Sequence, residues 1–199
     1  MPRLLRLGFG LLVLVAIGWQ LGLHAGSGYS LLNFFSYFTN LSNLLAAAVL
    51  LAAASAAGFT RTPAFDALRG ASALYMALVG LVFGALLRDV DLGDLRPWVN
   101  ATLHYLMPVV VVADWLLDPP ASRLRPGQLL AALVFPVLYL VYTLLRGSQV
   151  GWYPYPFLNP QPSGGYAQVA LGAAGITVGF VVVGGGLFAL GNRRRAAIR

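Results

Sequence analysis

The chain has 199 residues, of which 59% are hydrophobic and only 10% charged. Its charged content is roughly half that of a soluble domain, and so short a chain cannot hide this much apolar surface in a core. The net charge of +7 comes from arginines scattered between apolar runs, which form no basic face and argue against a nucleic-acid partner. There is no Cys, Lys or Glu, which excludes disulfides, thiolate chemistry and Cys-ligated metals.

The apolar runs approach the roughly 20 residues a helix needs to cross a bilayer. They predict an all-α polytopic membrane protein, a six-transmembrane-helix bundle in one domain (1–199). The spans are expected at 4–23, 31–57, 68–87, 98–117, 128–146 and 166–190. Span one follows Arg3 and Arg6 and imitates a signal peptide, but its run is long for one and "LHA" is a poor cleavage site. Span two opens on "NFFSYFTNLSN", unusually polar for a membrane segment. At 100° per residue Asn33, Ser36, Thr39, Asn40, Ser42 and Asn43 fall on about half the helix circumference, with Leu and Phe opposite. Such a stripe serves interhelical hydrogen bonding or lines a cavity. Span three ends at Arg88. Span four, "NATLHYLMPVVVVADWLL", puts Asn100, His104, Met107, Val111 and Asp114 on one face. An ionisable group at membrane depth is a functional candidate or a hydrogen-bonded helix contact.

Span five brings Tyr139, Tyr142, Thr143 and Arg146 toward the outer boundary, where Arg146 either snorkels or meets a substrate carboxylate. "GWYPYPFLNPQPSGG" before span six reads as an aromatic lid or interfacial anchor. The pairs Gly18/Gly22, Gly80/Gly84 and Gly175/Gly179 are GxxxG spacings that predict close helix approach. Ten arginines (3, 6, 61, 69, 123, 125, 193–195 and 199) fall on one side of the spans and three (88, 96 and 146) on the other. That bias predicts cytoplasmic termini, and outward loops at 24–30, 88–97 and 147–165.

Spans two and four both enter from the outer side in this topology. Thr39 and His104 then lie roughly 12 and 9 Å below the boundary at 1.5 Å per residue. A threonine hydroxyl level with an imidazole outlines a nucleophile and its base. Asn40, Asn43 and Asn100, each within a turn of one of them, offer N–H groups for an oxyanion. Tyr142 and Arg146 complete the expected substrate-binding set. Asp114 stands about 15 Å further along span four, too far to orient His104. No metal is expected, because two His without Glu or Cys make a poor ligand set.

At "FSYFTNLSN", "NATLHYLMP" and "GWYPYPF" the chain resembles the androgen-induced gene product family of six-span membrane proteins and its bacterial relatives. The similarity runs from about residue 31 to 190. The resemblance implies an intramembrane threonine hydrolase, as in animal members that cleave fatty acid esters of hydroxy fatty acids. Their essential threonine and histidine fall on Thr39 and His104. It implies no cofactor, a membrane lipid or fatty-acyl ester as substrate, and a bacterial plasma membrane as the location. The residues around the pair are richer in amides here, so the family's substrate does not transfer directly. A small transporter or lipid-binding protein with a polar central cavity, drawing on Asp114, is the competing expectation, and a purely structural membrane subunit is a third.

Overall fold

The computed structural model describes residues 1–55, 62–161 and 164–198. Positions 56 and 57 of the expected second span, Arg61 and Arg199 lie outside the described residues. Every regular element described is helical. The helices are α1 (Arg3–Gly26), α2 (Leu31–Phe35), α3 (Phe38–Ala54), α4 (Pro63–Val82), α5 (Pro97–Ala101), α6 (Met107–Leu117), α7 (Pro126–Val150) and α8 (Gly165–Ile198). Wide π turns extend α4 through Phe83–Leu87 and join α5 to α6 through Thr102–Leu106. Five segments are long and apolar enough to cross a membrane: α1, Pro63–Leu87, Pro97–Leu117, α7 and α8.

The second expected span differs from its prediction. It is two helices, with Ser36 and Tyr37 between them, and the longer part, Phe38–Ala54, has 17 residues. The single helical face expected over 33–43 is therefore interrupted, and a depth counted along one continuous helix does not apply to Thr39. The expected glycine approaches are also only partly present. A Cβ on Gly80 would sit 2.9 Å from Pro108 Cβ, and one on Gly179 would sit 3.3 Å from Leu78. Gly18, Gly22, Gly84 and Gly175 have nothing within 4 Å of that position.

Proline breaks in this bundle are repaired by side chains. Pro136 inside α7 has no N–H for the Ala132 carbonyl one turn earlier. The Tyr75 hydroxyl donates to that carbonyl at 2.6 Å. In the π turn of the fourth segment the Met107 N–H reaches back to Thr102 O. In that wider register Leu103 O would need an N–H from residue 108, which is proline and has none. The Asn43 amide donates to Leu103 O at 3.2 Å and ties α3 to the π turn.

One end of the bundle is electrostatically locked. Arg6 Nε donates to Asp114 at 2.8 Å and Arg6 Nη2 to Asp118 at 2.5 Å. Arg69 reaches Asp114 at 3.3 Å and the Asp118 carbonyl at 2.7 Å, with its guanidinium over the Trp115 ring. Asp114 is only 3% exposed. At the same end Asp66 accepts from Ser122, Asn192 pairs with the Leu124 backbone and Arg194 donates to Leu116 O. Gln20 at the far end holds Asp94 O and the Arg96 N–H. The described arginine-rich segments thus gather at one end, as the charge bias implies.

Large apolar side chains stand exposed on the outer faces, including Leu11, Val15, Val137, Leu138, Leu171 and Val182. A soluble protein rarely leaves that much apolar area bare, and the faces suit hydrocarbon. Breaking a buried ion pair from one side costs about 3–5 kcal/mol. Asp114→Asn is therefore expected to lower the thermal unfolding midpoint in detergent clearly, and an unchanged midpoint would contradict a structural role for the cluster.

Candidate functional site

The interruption of the second segment leaves several backbone groups without helical partners. Several of them are met by side chains. Asn40 Nδ2 donates to Phe34 O at 2.8 Å. The Tyr139 hydroxyl donates to Ser36 O at 2.8 Å. The Thr39 N–H, in the first turn of α3, donates to the Tyr155 hydroxyl at 3.2 Å. Ser36 Oγ donates to Leu32 O and meets the Tyr142 hydroxyl at 2.8 Å. Asn43 Nδ2 adds a bond to Thr39 O at 3.0 Å alongside the one to Leu103 O. Much of the polar stretch thus satisfies a backbone break.

Thr39 is 6% exposed, and its hydroxyl lies 3.4 Å from the Tyr155 hydroxyl. Tyr155 comes from the connector between α7 and α8, whose Pro156–Leu158 turn is a short 3₁₀ helix. Burial pushes the Tyr155 phenol up from its ordinary value, which keeps it a neutral hydroxyl. The Tyr155 ring stacks on Phe157, and Tyr37 packs edge-on against both Tyr155 and Trp152. The sequence pattern marked this connector as a lid or anchor but did not single out Tyr155, although "WYPYPF" was the signal available.

His104 lies inside the π turn and is 9% exposed. Its ring stacks on Phe83, centroids 4.1 Å apart, and Phe83 belongs to the other π turn. The ring lies near the Asn100 carbonyl, yet Nδ1 is buried without a hydrogen bond. No hydrogen bond joins His104 to Thr39. The shared Asn43 amide nonetheless binds Thr39 O and Leu103 O, which brings the backbones of the two segments together beside both residues.

The remaining expected residues divide. The donors of Asn40 and Asn43 are engaged by backbone carbonyls, while Asn43 Oδ1 and Asn100 Oδ1 are buried and unpartnered. Tyr142 meets Ser36 rather than Thr39. Arg146 donates to Asn33 Oδ1 at 2.6 Å and lies over the Trp152 ring. Arg88 is exposed and pairs with Asp89. Asp114 is held by Arg6 and Arg69 in the charged end cluster, and its burial is accounted for there.

A cavity of about 150 Å³ adjoins Thr39 and Tyr155. Phe38 of α3, Leu87 of the Phe83–Leu87 π turn, α4, α7, α8 and the connector supply the rest of its lining, which is almost wholly aliphatic and aromatic; His104 does not line it. Among the described residues no three imidazole or carboxylate groups gather as a metal site would require. No protein-family model matches the chain, and no curated protein or solved structure is detectably similar to it.

The Asn43 bridge has a direct test. Asn43→Leu keeps the branching and heavy-atom count of the side chain and strands the Leu103 carbonyl, at a cost of about 1–3 kcal/mol. The thermal midpoint should fall and amide exchange near the π turn should rise. Unaltered exchange at 102–106 would mean that the bridge does not support this turn.

Proposed function

We propose that the chain is an intramembrane hydrolase of a lipid ester, with Thr39 as nucleophile and His104 as general acid and base. The observation that carries this reading is a buried threonine hydroxyl beside an apolar cavity, with the histidine-bearing turn tied to its backbone through Asn43. The resemblance at "FSYFTNLSN" and "NATLHYLMP" points to the same two residues and to kinship with the androgen-induced gene product family. We read the second segment, although broken, as a sixth crossing, and the arginine-rich end as cytoplasmic. Thr39 and the connector then face the outer half of the bilayer.

In this mechanism the ester carbonyl settles against Thr39. Thr39 Oγ1 forms a bond to the carbonyl carbon and passes its proton to an imidazole nitrogen of His104, directly or through one water. Resting catalytic hydrogen bonds are often open and tighten with substrate bound, so the absent Thr39–His104 bond marks the distance that substrate binding must close. The carbonyl oxygen gains negative charge at the first turn of α3, where the helix end is partly positive. The Thr39 N–H and the Tyr155 hydroxyl, which bind each other in the resting site, are the donors nearest that charge. Collapse breaks the bond to the alcohol oxygen, which takes the proton from His104. Water then attacks the acyl-threonine, gives its proton to His104, and Thr39 leaves as the alcohol by recovering it.

A lipid-binding protein without turnover is the second reading. It is favoured by the Thr39 hydroxyl resting against Tyr155 and by the apolar cavity lining. Proton transport draws less support, because the Asp114 carboxylate is paired with two arginines. Purified parent, Thr39→Ala and His104→Ala should be compared on a fluorogenic long-chain acyl ester. Loss of either partner of a nucleophile–base pair should lower kcat by about 10²–10⁴-fold with the protein still folded. Equal rates in all three would leave the binding reading.

A further inference from the structure

We infer that the cavity beside Thr39 is an acyl-chain channel, entered from the bilayer through the seam between α7 and α8. The inference rests on the lipid-ester reading and adds the entry route and the depth the chain reaches. Three observations carry it. The connector closes the outer end, because Tyr155, Phe157 and Leu158 are part of the lining and Tyr155 is fixed to Thr39. An ester therefore does not descend from the aqueous side. The seam is open sideways: Val137 on α7 and Thr177 on α8 line the cavity and are exposed on the outer face. The bilayer, not water, lies against those faces. Finally, Leu78, Leu133 and Phe180 in the same lining stand six to nine residues along their helices from Leu87, Tyr139 and Ala173. That is roughly 9–13 Å of apolar depth at 1.5 Å per residue.

The Thr39 and Tyr155 hydroxyls meet beneath the connector, whereas the other hydroxyl-bearing residues of the lining, Tyr139 and Thr177, donate to the backbone carbonyls of Ser36 and Ala173. A linear alkyl chain lying toward Leu133 and Phe180 with its ester at the Thr39–Tyr155 pair fits both the chemistry and the shape. Pro136, inside α7, forms part of the cavity wall.

The test uses a long-chain fatty acyl ester carrying a terminal diazirine, incorporated with the protein into phosphatidylcholine vesicles, irradiated, and mapped by peptide mass spectrometry. Labelling is expected at Leu78, Leu133 or Phe180. Filling the channel with Ala173→Trp, or from the exposed rim with Thr177→Trp, should reduce that labelling about tenfold or more, the size of effect one pocket-filling change has on an alkyl ligand. Labelling of the lipid-facing Leu11 and Val15 on α1 should persist in both variants and certifies insertion and folding. Label confined to such outward positions, or interior label indifferent to both tryptophans, overturns the channel. Thr39→Ala should keep the interior label. Interior labelling by a parent that never cleaves the ester removes the hydrolase reading and leaves the channel; cleavage with no interior label does the reverse.

Discussion

A backbone N–H or C=O in hydrocarbon needs a partner from within the protein, and this bundle is organised around the places where its helices fail to supply one. Pro136 leaves Ala132 O to Tyr75, Pro108 leaves Leu103 O to Asn43, and the gap at Ser36–Tyr37 leaves Phe34 O, Ser36 O and the Thr39 N–H to Asn40, Tyr139 and Tyr155. Each repair crosses from one element to another or spans a break. The polar side chains thus set which helices are neighbours, while nonspecific apolar packing fills the space between them. The candidate site is a consequence: the interruption leaves the first turn of α3 without helical acceptors ahead of it, and the residue there with a hydroxyl is Thr39.

This constraint also separates structural from chemical roles among the polar residues. Asn40 and Asn43 spend their donors on carbonyls, and Asp114 spends its charge on Arg6 and Arg69. Among the groups with capacity left are the Thr39 hydroxyl, which meets Tyr155, and the unpartnered Nδ1 of His104, beside buried acceptors such as Asn43 Oδ1 and Asn100 Oδ1. Unsatisfied buried polar atoms are uncommon in native proteins, and two π turns meeting through the Phe83–His104 stack are a further departure from regular helix of the kind found at functional sites.

Much of the architecture was legible in the sequence because length and hydropathy are read from single residues. The expected spans 4–23, 68–87, 98–117, 128–146 and 166–190 each fall within a continuous apolar segment of the fold. The break in 31–57 was hidden because Ser36 and Tyr37 are neither Gly nor Pro, and a helical projection assumes the continuity it is used to test. Pro108 was visible, but its effect needs the register of the following turn and a partner on another helix. Tyr155 lies well over a hundred residues from Thr39 in sequence, and no local pattern links them. Charge placement can be read from loops, but the Arg6–Asp114–Arg69 network was not legible, since pairing is a property of packed helices.

The central claim is that the Thr39 oxygen is the atom that takes the acyl group. The most direct measurement is to treat the folded, membrane-reconstituted protein with a lipophilic fluorophosphonate and locate the covalent adduct by peptide mass spectrometry. The account predicts a phosphonylated Thr39, formed more slowly in His104→Ala and absent in Thr39→Ala. An adduct on another residue, or a protein that cleaves esters while Thr39 stays unmodified, would contradict it.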